Sequence, residues 1–359
     1  MLLNSFTDVS FSILTCTLCV NLWLLYHTHV NTITTPATLA TDIKRPKLTE
    51  VTRNIYIIIS GLLLVGIILS NYLVTEKANT QLAYWDMVYV SQYTLGYFFI
   101  SIGILFLILF TSSNLVHQNI SYTPEYLFFI VLITIASYLL IGSTNLLFAV
   151  FVLEFIALLI FGKFAVSRIM YTYNTVSAAK KSTTPQFSYG LFNSLFFQFW
   201  ANFVSSILLF FSLVNVHYSF GLSNFWFLNF FLSVLSTNWY LTDLFISVIV
   251  ILLTTGFFIK LGLSPYQFFK IETYKGVPLF MVIIYTTLYL SIYIYFFTLL
   301  FVYQVPMLRE FSGSFIAIML VFSILYLINL LFDTKNFKAF LSYSTLVTVI
   351  NLFMIILLV

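Results

Sequence analysis

The stretch GFFIKLGLSPYQFFKIETYKGVPL, residues 256–279, decides how this chain is built. It opens inside an apolar run that begins near Tyr240, so Lys260 lies at the depth of hydrocarbon or packed protein. A lysine at membrane depth costs roughly 2.5–3.5 kcal/mol on insertion scales and is a functional candidate by default. Gly262 loosens the next turn and Pro265 lacks a backbone N–H, so the helix is predicted to break there. A broken helix with a lysine at the break indicates ion handling.

The composition indicates a membrane protein. Of the 359 residues, 61% are hydrophobic and 7% are charged, and the mean hydropathy is +1.04. A soluble chain of this length cannot hide so much apolar surface, so the predicted class is an all-α polytopic membrane protein. The 42 Phe and 24 Tyr residues have AT-rich codons, and we therefore expect an organellar gene.

Apolar runs long enough to cross a bilayer number about ten. They predict transmembrane helices near 6–27, 54–74, 87–112, 122–141, 144–166, 189–215, 240–262, 279–303, 314–332 and 338–358. The run Phe225–Leu235 is short for a span and is predicted to lie at the interface. Gly142 and Ser143 alone separate the fourth and fifth runs, which predicts a tight helical hairpin. The polar stretches 28–50 and 172–187 are predicted to be solvated connectors.

The loop charges predict the orientation of these helices. With the N-terminus outside, the inner loops carry Lys44, Arg45, Lys47, Arg53, Arg168, Lys180, Lys181, Lys270, Lys275, Lys335 and Lys338. The outer loops carry only Lys77 and Arg309. This excess of inner positive charge is the bias that sets topology, so the N-terminus is predicted to face out.

Glu154 is the second charge expected deep in the membrane, in the run NLLFAVFVLEFIALLIFG. The simplest structural interpretation is a protonated glutamate that hydrogen bonds to a neighbouring helix. The functional interpretation is a pair with Lys260, because in a low-dielectric core each group restores the charged form of the other. A pair that forms and parts changes the proton affinity of the lysine, which proton transfer requires.

The remaining charges near the helices have simpler interpretations. Lys163 is predicted to snorkel to the inner surface, with an apolar stem and a wet head. Glu272 is interpreted as a solvated carboxylate in the kinked connection, balanced by Lys270 and Lys275. A proton-transfer role for Glu272 is the second-tier alternative.

The decisive stretch also carries a family resemblance. Its matching residues are Lys260, Leu261, Gly262, Pro265, Tyr266, Phe269, Glu272, Tyr274, Gly276 and Pro278. They keep the spacing of the signature F-K-L-G-x-x-P-F-H-x-W-x-x-[DE]-x-Y-x-G-x-P. Through it the chain resembles the NADH dehydrogenase subunit 2 family, the antiporter-like membrane subunits of respiratory complex I. The sequence departs from the signature at Gln267, where the family has His, and at Phe269, where it has Trp.

Two further segments resemble the same family. Glu154 fits its fifth-helix pattern L-E-x-x-[SA]-L, and residues 336–345 are similar to its loop N-x-K-R-x-L-x-Y-S-S. In that loop Lys338 is either a snorkelling anchor or a second-tier functional residue. The family's histidine aligns with Thr348, and its eighth-helix lysine falls at Tyr289 or Leu290. Tyr289 could hold water there, but with a pKa near 10 a tyrosine is a poor proton carrier.

The resemblance implies an antiporter-like fold with a broken seventh helix and an incomplete second inverted repeat. Its expected parts are an N-terminal group of three helices at 1–121, a five-helix repeat at 122–303, and two helices of a shortened repeat at 304–359. The implied function is proton translocation coupled to quinone reduction, through Glu154 and Lys260. The implied location is the mitochondrial inner membrane, with the N-terminus toward the intermembrane space.

The resemblance also implies which ligands and partners belong to this chain. NADH, FMN, iron–sulfur clusters and ubiquinone are used elsewhere in the complex, so no cofactor or metal site and no nucleic acid contact is expected here. Expected partners are antiporter-like subunit 4, the small membrane subunits, phospholipid such as cardiolipin, and a separate polypeptide that supplies the missing helices. A non-pumping structural subunit and a free-standing cation/proton antiporter are the alternatives.

Overall fold

The computed structural model describes residues 80–83, 88–91, 124–178, 186–221, 224–237, 243–263, 266–277, 282, 285–331 and 337–358. The predicted spans 6–27 and 54–74 and the predicted connector 28–50 lie outside the described residues. So do most of the predicted span 87–112 and Pro265, the predicted helix breaker.

Helices make up almost all of the described chain, which confirms the prediction of an all-α polytopic membrane protein. They are α1 (Pro124–Ile141), α2 (Leu146–Ala178), α3 (Gln186–Phe220), α4 (Phe225–Thr237), α5 (Asp243–Leu261), α6 (Gln267–Gly276), α7 (Leu290–Thr298), α8 (Met307–Leu331) and α9 (Phe337–Leu358). Two π-helical segments, Tyr285–Tyr289 and Leu299–Gln304, flank α7.

Within the described residues, four helical segments are long and apolar enough to cross a membrane by length and composition: Leu146–Ala165, Phe192–Ser219, Met307–Leu330 and Phe337–Leu358. Shorter apolar helices lie at Leu132–Ile141, Phe225–Val234, Ile246–Leu261 and Leu290–Gln304. Each of these segments overlaps a predicted apolar run. A helix bonds its own backbone groups and is therefore the structure that such a run adopts inside lipid.

Two predicted boundaries are wrong. The helix α2 continues to Ala178, so the first part of the predicted connector 172–187 is helical. Once a helix is nucleated, each added residue contributes another hydrogen bond, and polar residues can prolong it beyond the apolar run. Val88–Ser91, at the start of the predicted span 87–112, is a strand paired antiparallel with Thr80–Ala83. Valines alternate along this strand, and β-branched residues favour extended backbone.

The described chain contains two compact units. The first comprises residues 1–142 and 158–182, and the second comprises residues 143–157 and 183–359. In the first unit the Phe129 ring packs on Gly162, where an added Cβ would lie 2.9 Å from the ring. The expected division at residues 121 and 303 follows helical repeats instead of compactness and stays a prediction.

The second unit is assembled around α3, which packs against both α5 and α6. Ser205 Oγ donates a hydrogen bond of 2.9 Å to the Gly256 carbonyl, and Gly256 lets the side chain of Leu209 approach the backbone of α5. Small residues at such contacts are typical of helix packing in membranes. On other sides of this unit α8 packs on α5 and α9, and α9 packs on α6. The end of α5 is thereby fixed among several helices.

Replacing Gly256 by alanine is expected to destabilise this packing, whereas the same change at Gly313 is not. A Cβ at Gly256 would lie 2.8 Å from Leu209 Cγ, but at Gly313 the nearest atom would be Leu357 Cδ2 at 3.9 Å. Both changes gain helix propensity, so their difference isolates an overpacking cost of about 1–3 kcal/mol. Thermal unfolding of the purified protein in lipid nanodiscs measures it. Equal midpoints would contradict the close α3–α5 contact.

Candidate functional site

The end of α5 is the local structure on which the site is built. The Gly262 N–H donates to the Ile259 carbonyl and the Leu263 N–H donates to the Phe258 carbonyl, each at 3.0 Å. Gly262 has a φ of +72°, so this is a Schellman motif, in which a glycine in the left-handed region ends the helix. The helix therefore ends at Gly262, two residues after Lys260, within the stretch where the sequence predicted a break.

Lys270 seals this helix end from the next helix. Its Nζ donates a hydrogen bond of 3.0 Å to the Leu261 carbonyl, one of the last free carbonyls of α5, and the residue is 0% exposed. An added Cβ on Gly262 would lie 2.8 Å from Lys270 Cδ, so the lysine stem covers the glycine. The prediction that Lys270 balances Glu272 is wrong, because its side chain turns inward to a carbonyl.

Lys260 and Glu154 form a buried ion pair. Lys260 Nζ lies 2.8 Å from Glu154 Oε1, and the exposed fractions of the two side chains are 0% and 17%. Lys260 occupies the last turn of α5, where the partial negative charge of the helix end also favours a cation. The structure thus brings together the two charges that the sequence analysis singled out.

Ser206 on α3 contacts the other carboxylate oxygen. Its hydroxyl lies 2.7 Å from Glu154 Oε2 and 2.7 Å from the Asn202 carbonyl, so one proton serves two acceptors. The neighbouring Ser205 donates to the Gly256 carbonyl of α5, so adjacent serines of α3 contact both the helix that carries Lys260 and the carboxylate of Glu154. Sequence reasoning missed Ser206, although two adjacent serines in an apolar run were a signal available to it.

Three tyrosines stack in a row from the π-helical segment Tyr285–Tyr289 into α7. The rings of Tyr285 and Tyr289 are 4.6 Å apart between centroids, and those of Tyr289 and Tyr293 are 4.3 Å apart. The Tyr293 hydroxyl donates to the Leu153 carbonyl at 3.5 Å, beside Glu154. Tyr289, a second-tier residue in the sequence analysis, is the middle ring of this stack. The sequence analysis named Tyr289 but did not predict that it stacks with its neighbours.

The other predicted residues lie apart from the ion pair. Glu272 forms an exposed ion pair with Lys275 at 2.9 Å, both side chains being 41% exposed. It stands on α6 and not in a loop, but Lys275 does balance it as predicted. Lys338 is half-buried and donates to the Val277 carbonyl at 2.9 Å, which ties α9 to the end of α6.

Lys163 corrects another prediction. The residue is 3% exposed, so its head does not snorkel to the surface of the protein. The sequence placed Lys163 near the end of its apolar run, where its head could reach water. Helix α2 instead continues well past Lys163 to Ala178.

The residues that the structure describes contain no group of three or more His, Cys, Asp or Glu side chains placed to hold a metal ion.

Comparisons with known proteins bear on the fold. No family model matches the chain. Over 89 residues it is 39% identical to "Uncharacterized mitochondrial protein ORF4" of Paramecium tetraurelia, a match that covers 24% of this chain and 56% of that protein. The alignment is thus too short to place the whole chain in a family.

The solved structures match nearly the whole chain. A chain of respiratory complex I from Thermus thermophilus matches with a TM-score of 0.60 and 14% identity, over 93% of this chain and 62% of that one. A chain of the membrane-bound sulfane sulfur reductase, an archaeal respiratory membrane complex, matches with a TM-score of 0.68 and 12% identity, over 98% and 64%. This chain is a polytopic helical membrane protein with the fold of chains from respiratory membrane complexes. It spans less than two thirds of the length of each relative.

The buried Lys270 predicts a pH dependence at the end of α5. Lys270 stands on α6, a polar helix outside the candidate spans, and burial lowers its pKa from 10.5 to about 7. Above pH 7 the buried amine of Lys270 lacks a proton that it binds again when the end of α5 opens locally and exposes it to water. The structured end of α5 therefore gains stability as pH rises toward 10. The gain reaches at most about 1.4 kcal/mol per pH unit.

Hydrogen exchange of the amides of Gly262 and Leu263, corrected for intrinsic rates, measures this local stability. Protection is expected to rise with pH in the native protein and to lose that slope in Lys270→Met. The exposed Lys275→Met is the control and should keep the slope. A slope that survives in Lys270→Met would contradict the assignment.

Proposed function

We propose that this chain is a membrane-arm subunit of a proton-pumping NADH:ubiquinone oxidoreductase, of the subunit 2 type. The proposed location is the mitochondrial inner membrane, with the N-terminus toward the intermembrane space. The buried Lys260–Glu154 ion pair at a glycine-ended helix is the observation that carries the proposal. The sequence signature and the fold of the respiratory chains support it, as does the mitochondrial relative.

The geometry suggests how the ion pair handles a proton. While the pair is closed, Lys260 keeps its proton because the carboxylate lies 2.8 Å away. Once a proton arrives on Glu154, the pair loses its attraction, and a buried ammonium without a counter-charge is strongly disfavoured. Lys260 then gives up its own proton. One proton entering at the carboxyl thus releases another at the amine, which is the exchange that a pumping subunit needs.

The proposal assigns the remaining parts of the enzyme to other chains. NADH, FMN, iron–sulfur clusters and ubiquinone are proposed to be bound elsewhere, while this chain couples to quinone reduction through neighbouring membrane subunits. Those neighbours are antiporter-like subunit 4 and the small membrane subunits. Phospholipid, cardiolipin included, is proposed to contact the inner-side lysines.

A non-pumping structural subunit of the same complex is the second candidate. It is favoured by Tyr289, which stands where the family has a lysine and cannot carry a stable positive charge. A free-standing antiporter shares the ion pair, but it would transport cations when reconstituted alone. Both alternatives are decided by substitutions at the ion pair.

Substituting Lys260 by methionine in the assembled complex is expected to lower the number of protons pumped per NADH oxidised. Transfer by a positioned acid or base is typically worth about 10²–10⁴-fold in rate, so pumping through this chain should fall to background. The double variant Glu154→Gln, Lys260→Met removes both charges and leaves no uncompensated ion, so it separates lost pumping from lost folding. Proton uptake by sealed vesicles during NADH oxidation measures the ratio.

The matched control is Lys275→Met, which removes an exposed lysine from a surface ion pair and should pump normally. An unchanged ratio in both Lys260 variants would favour the structural subunit. Cation transport by the isolated chain would favour the antiporter.

The exposed face of α8 and α9 bears on the proposed separate polypeptide. Large apolar side chains at least one third exposed repeat along α8 at Ile318, Val321, Phe322, Leu325 and Ile328, and along α9 at Phe337, Phe340, Val347, Met354, Ile355 and Leu358. The α8 positions recur every three or four residues and form one stripe. We propose that helices of another polypeptide cover this stripe.

A photo-crosslinking residue placed at Phe322 in the assembled complex tests this assignment. Phe322 is 59% exposed, whereas Leu320 on the same helix is 0% exposed and serves as the control. A crosslink to a separate protein is expected from Phe322, and crosslinks within this chain alone from Leu320. Lipid adducts alone at Phe322 would rule out a covering polypeptide at this position.

A further inference from the structure

The short helix α4 packs one face on the helices of the second unit. Phe225, Leu228 and Leu232 are buried on this face. They line an apolar cavity together with Leu146 at the start of α2, Val216 near the end of α3, Ile246 in the first turn of α5 and Leu308 in the first turn of α8. Helix α4 therefore lies at the end of these helices that is opposite Gly262.

The first turn of α4 is held by two hydrogen bonds. The Phe225 N–H donates to the Thr144 carbonyl at 3.1 Å, and the Trp226 N–H donates to Asn224 Oδ1 at 3.2 Å. An asparagine that accepts a bond from the first turn is a common helix cap. These bonds fix which face of α4 meets the other helices.

The opposite face of α4 is aromatic and exposed. Trp226 is 86% exposed, Phe227 is 50% exposed and Phe230 is 61% exposed. Residues 218–242 contain no Lys, Arg, Asp or Glu. Both faces of α4 are thus apolar, and a helix that is apolar all round lies in the interior of a protein or in a membrane.

Two polar side chains in the middle of α4 are bonded to backbone groups. Ser233 Oγ donates to the Phe230 carbonyl at 2.6 Å, and Asn229 Oδ1 accepts a bond of 3.4 Å from the Met307 N–H. Inside lipid no water is present to bond such groups, so they must find partners within the protein. These bonds meet that requirement.

The size of the exposed face favours lipid over a protein partner. Aromatic side chains bury about 150–250 Å² each, so the exposed parts of Trp226, Phe227 and Phe230 amount to roughly 400 Å². A stable protein interface takes about 800 Å² from each partner. The segment also lacks the charges that orient a partner chain. Contact with lipid requires neither.

The length of α4 and two aromatic residues indicate its depth. With 13 residues the helix is about 20 Å long, too short to cross a hydrocarbon core of about 30 Å. Tyr218, which is 88% exposed, lies at the end of the candidate span Phe192–Ser219, shortly before α4 begins. Trp and Tyr side chains are enriched at the level of the lipid headgroups. Trp226 and Tyr218 therefore mark that level beside α4.

We propose that the face formed by Trp226, Phe227 and Phe230 is a lipid-binding surface that holds α4 within one leaflet of the membrane. Its ligand is the neutral phospholipid of that leaflet, whose acyl chains pack on the phenylalanines. The proposed orientation of the chain makes this the outer leaflet. The inference goes beyond the proposed function and does not depend on the ion pair.

A photoreactive phenylalanine analogue at Phe230 tests the proposal in the assembled complex, reconstituted in vesicles of phosphatidylcholine. After illumination, mass spectrometry is expected to show the peptide shifted by the mass of one phosphatidylcholine molecule. The matched control is the same analogue at Phe225, which is buried on the same helix and should crosslink only within this chain. Adducts to another subunit at Phe230, or the same result as at Phe225, would overturn the proposal.

Two further measurements keep the test decisive. The analogue at Phe227 should also give lipid adducts, which covers the case that the Phe230 variant assembles poorly. In vesicles that contain phosphatidylcholine and cardiolipin, the two adducts are expected in the mixing ratio, because the face carries no charge to select the anionic lipid. Adducts with cardiolipin alone would contradict a neutral lipid surface.

The experiment measures no pumping, so its outcome is separate from that of the Lys260 variants. Lipid adducts at Phe230 would support this surface even if Lys260→Met pumped normally. Their absence would leave the role of the ion pair unchanged.

Discussion

The structure depends on the need to neutralise the ammonium group of Lys260. That group is fully buried, and in a medium of low dielectric constant an isolated charge is far too costly to keep. Glu154 supplies the opposite charge at 2.8 Å, and the end of α5 supplies the partial negative charge of its carbonyls. The helices that carry these groups, α2 and α5, must therefore pack so that the two side chains meet.

The helix α3 makes the meeting possible because small and hydroxylated residues lie along it. Ser205 bonds to the backbone of α5 at Gly256, and Ser206 bonds to the carboxylate from α2. A larger residue at Gly256 would separate α3 from α5, since Leu209 already lies against that glycine. The polar contacts and the close packing therefore depend on each other, because both require α3 to lie close to α5.

The sequence predicted those features that depend on local chemistry. Lys260, Glu154 and Gly262 were identified because a charge in an apolar run and a glycine after a helix each have few interpretations. The positions of Lys270 and Lys163 were predicted wrongly, because the direction of a long side chain depends on neighbouring helices that periodicity does not specify. The contact of Ser206 was missed for the same reason. Tertiary packing, and not propensity, places these three side chains.

The capped end of α5 determines which side chain of the ion pair can move. The backbone beside Lys260 is held in place by three contacts. The helix ends in a Schellman motif, the Lys270 stem covers its glycine, and the Leu261 carbonyl accepts a hydrogen bond from Lys270 Nζ. Glu154 sits mid-helix, is partly exposed, and shares one serine proton with a competing carbonyl. The lysine is therefore the fixed partner and the carboxylate the movable one, so a change of rotamer at Glu154 is the smallest movement that opens the ion pair.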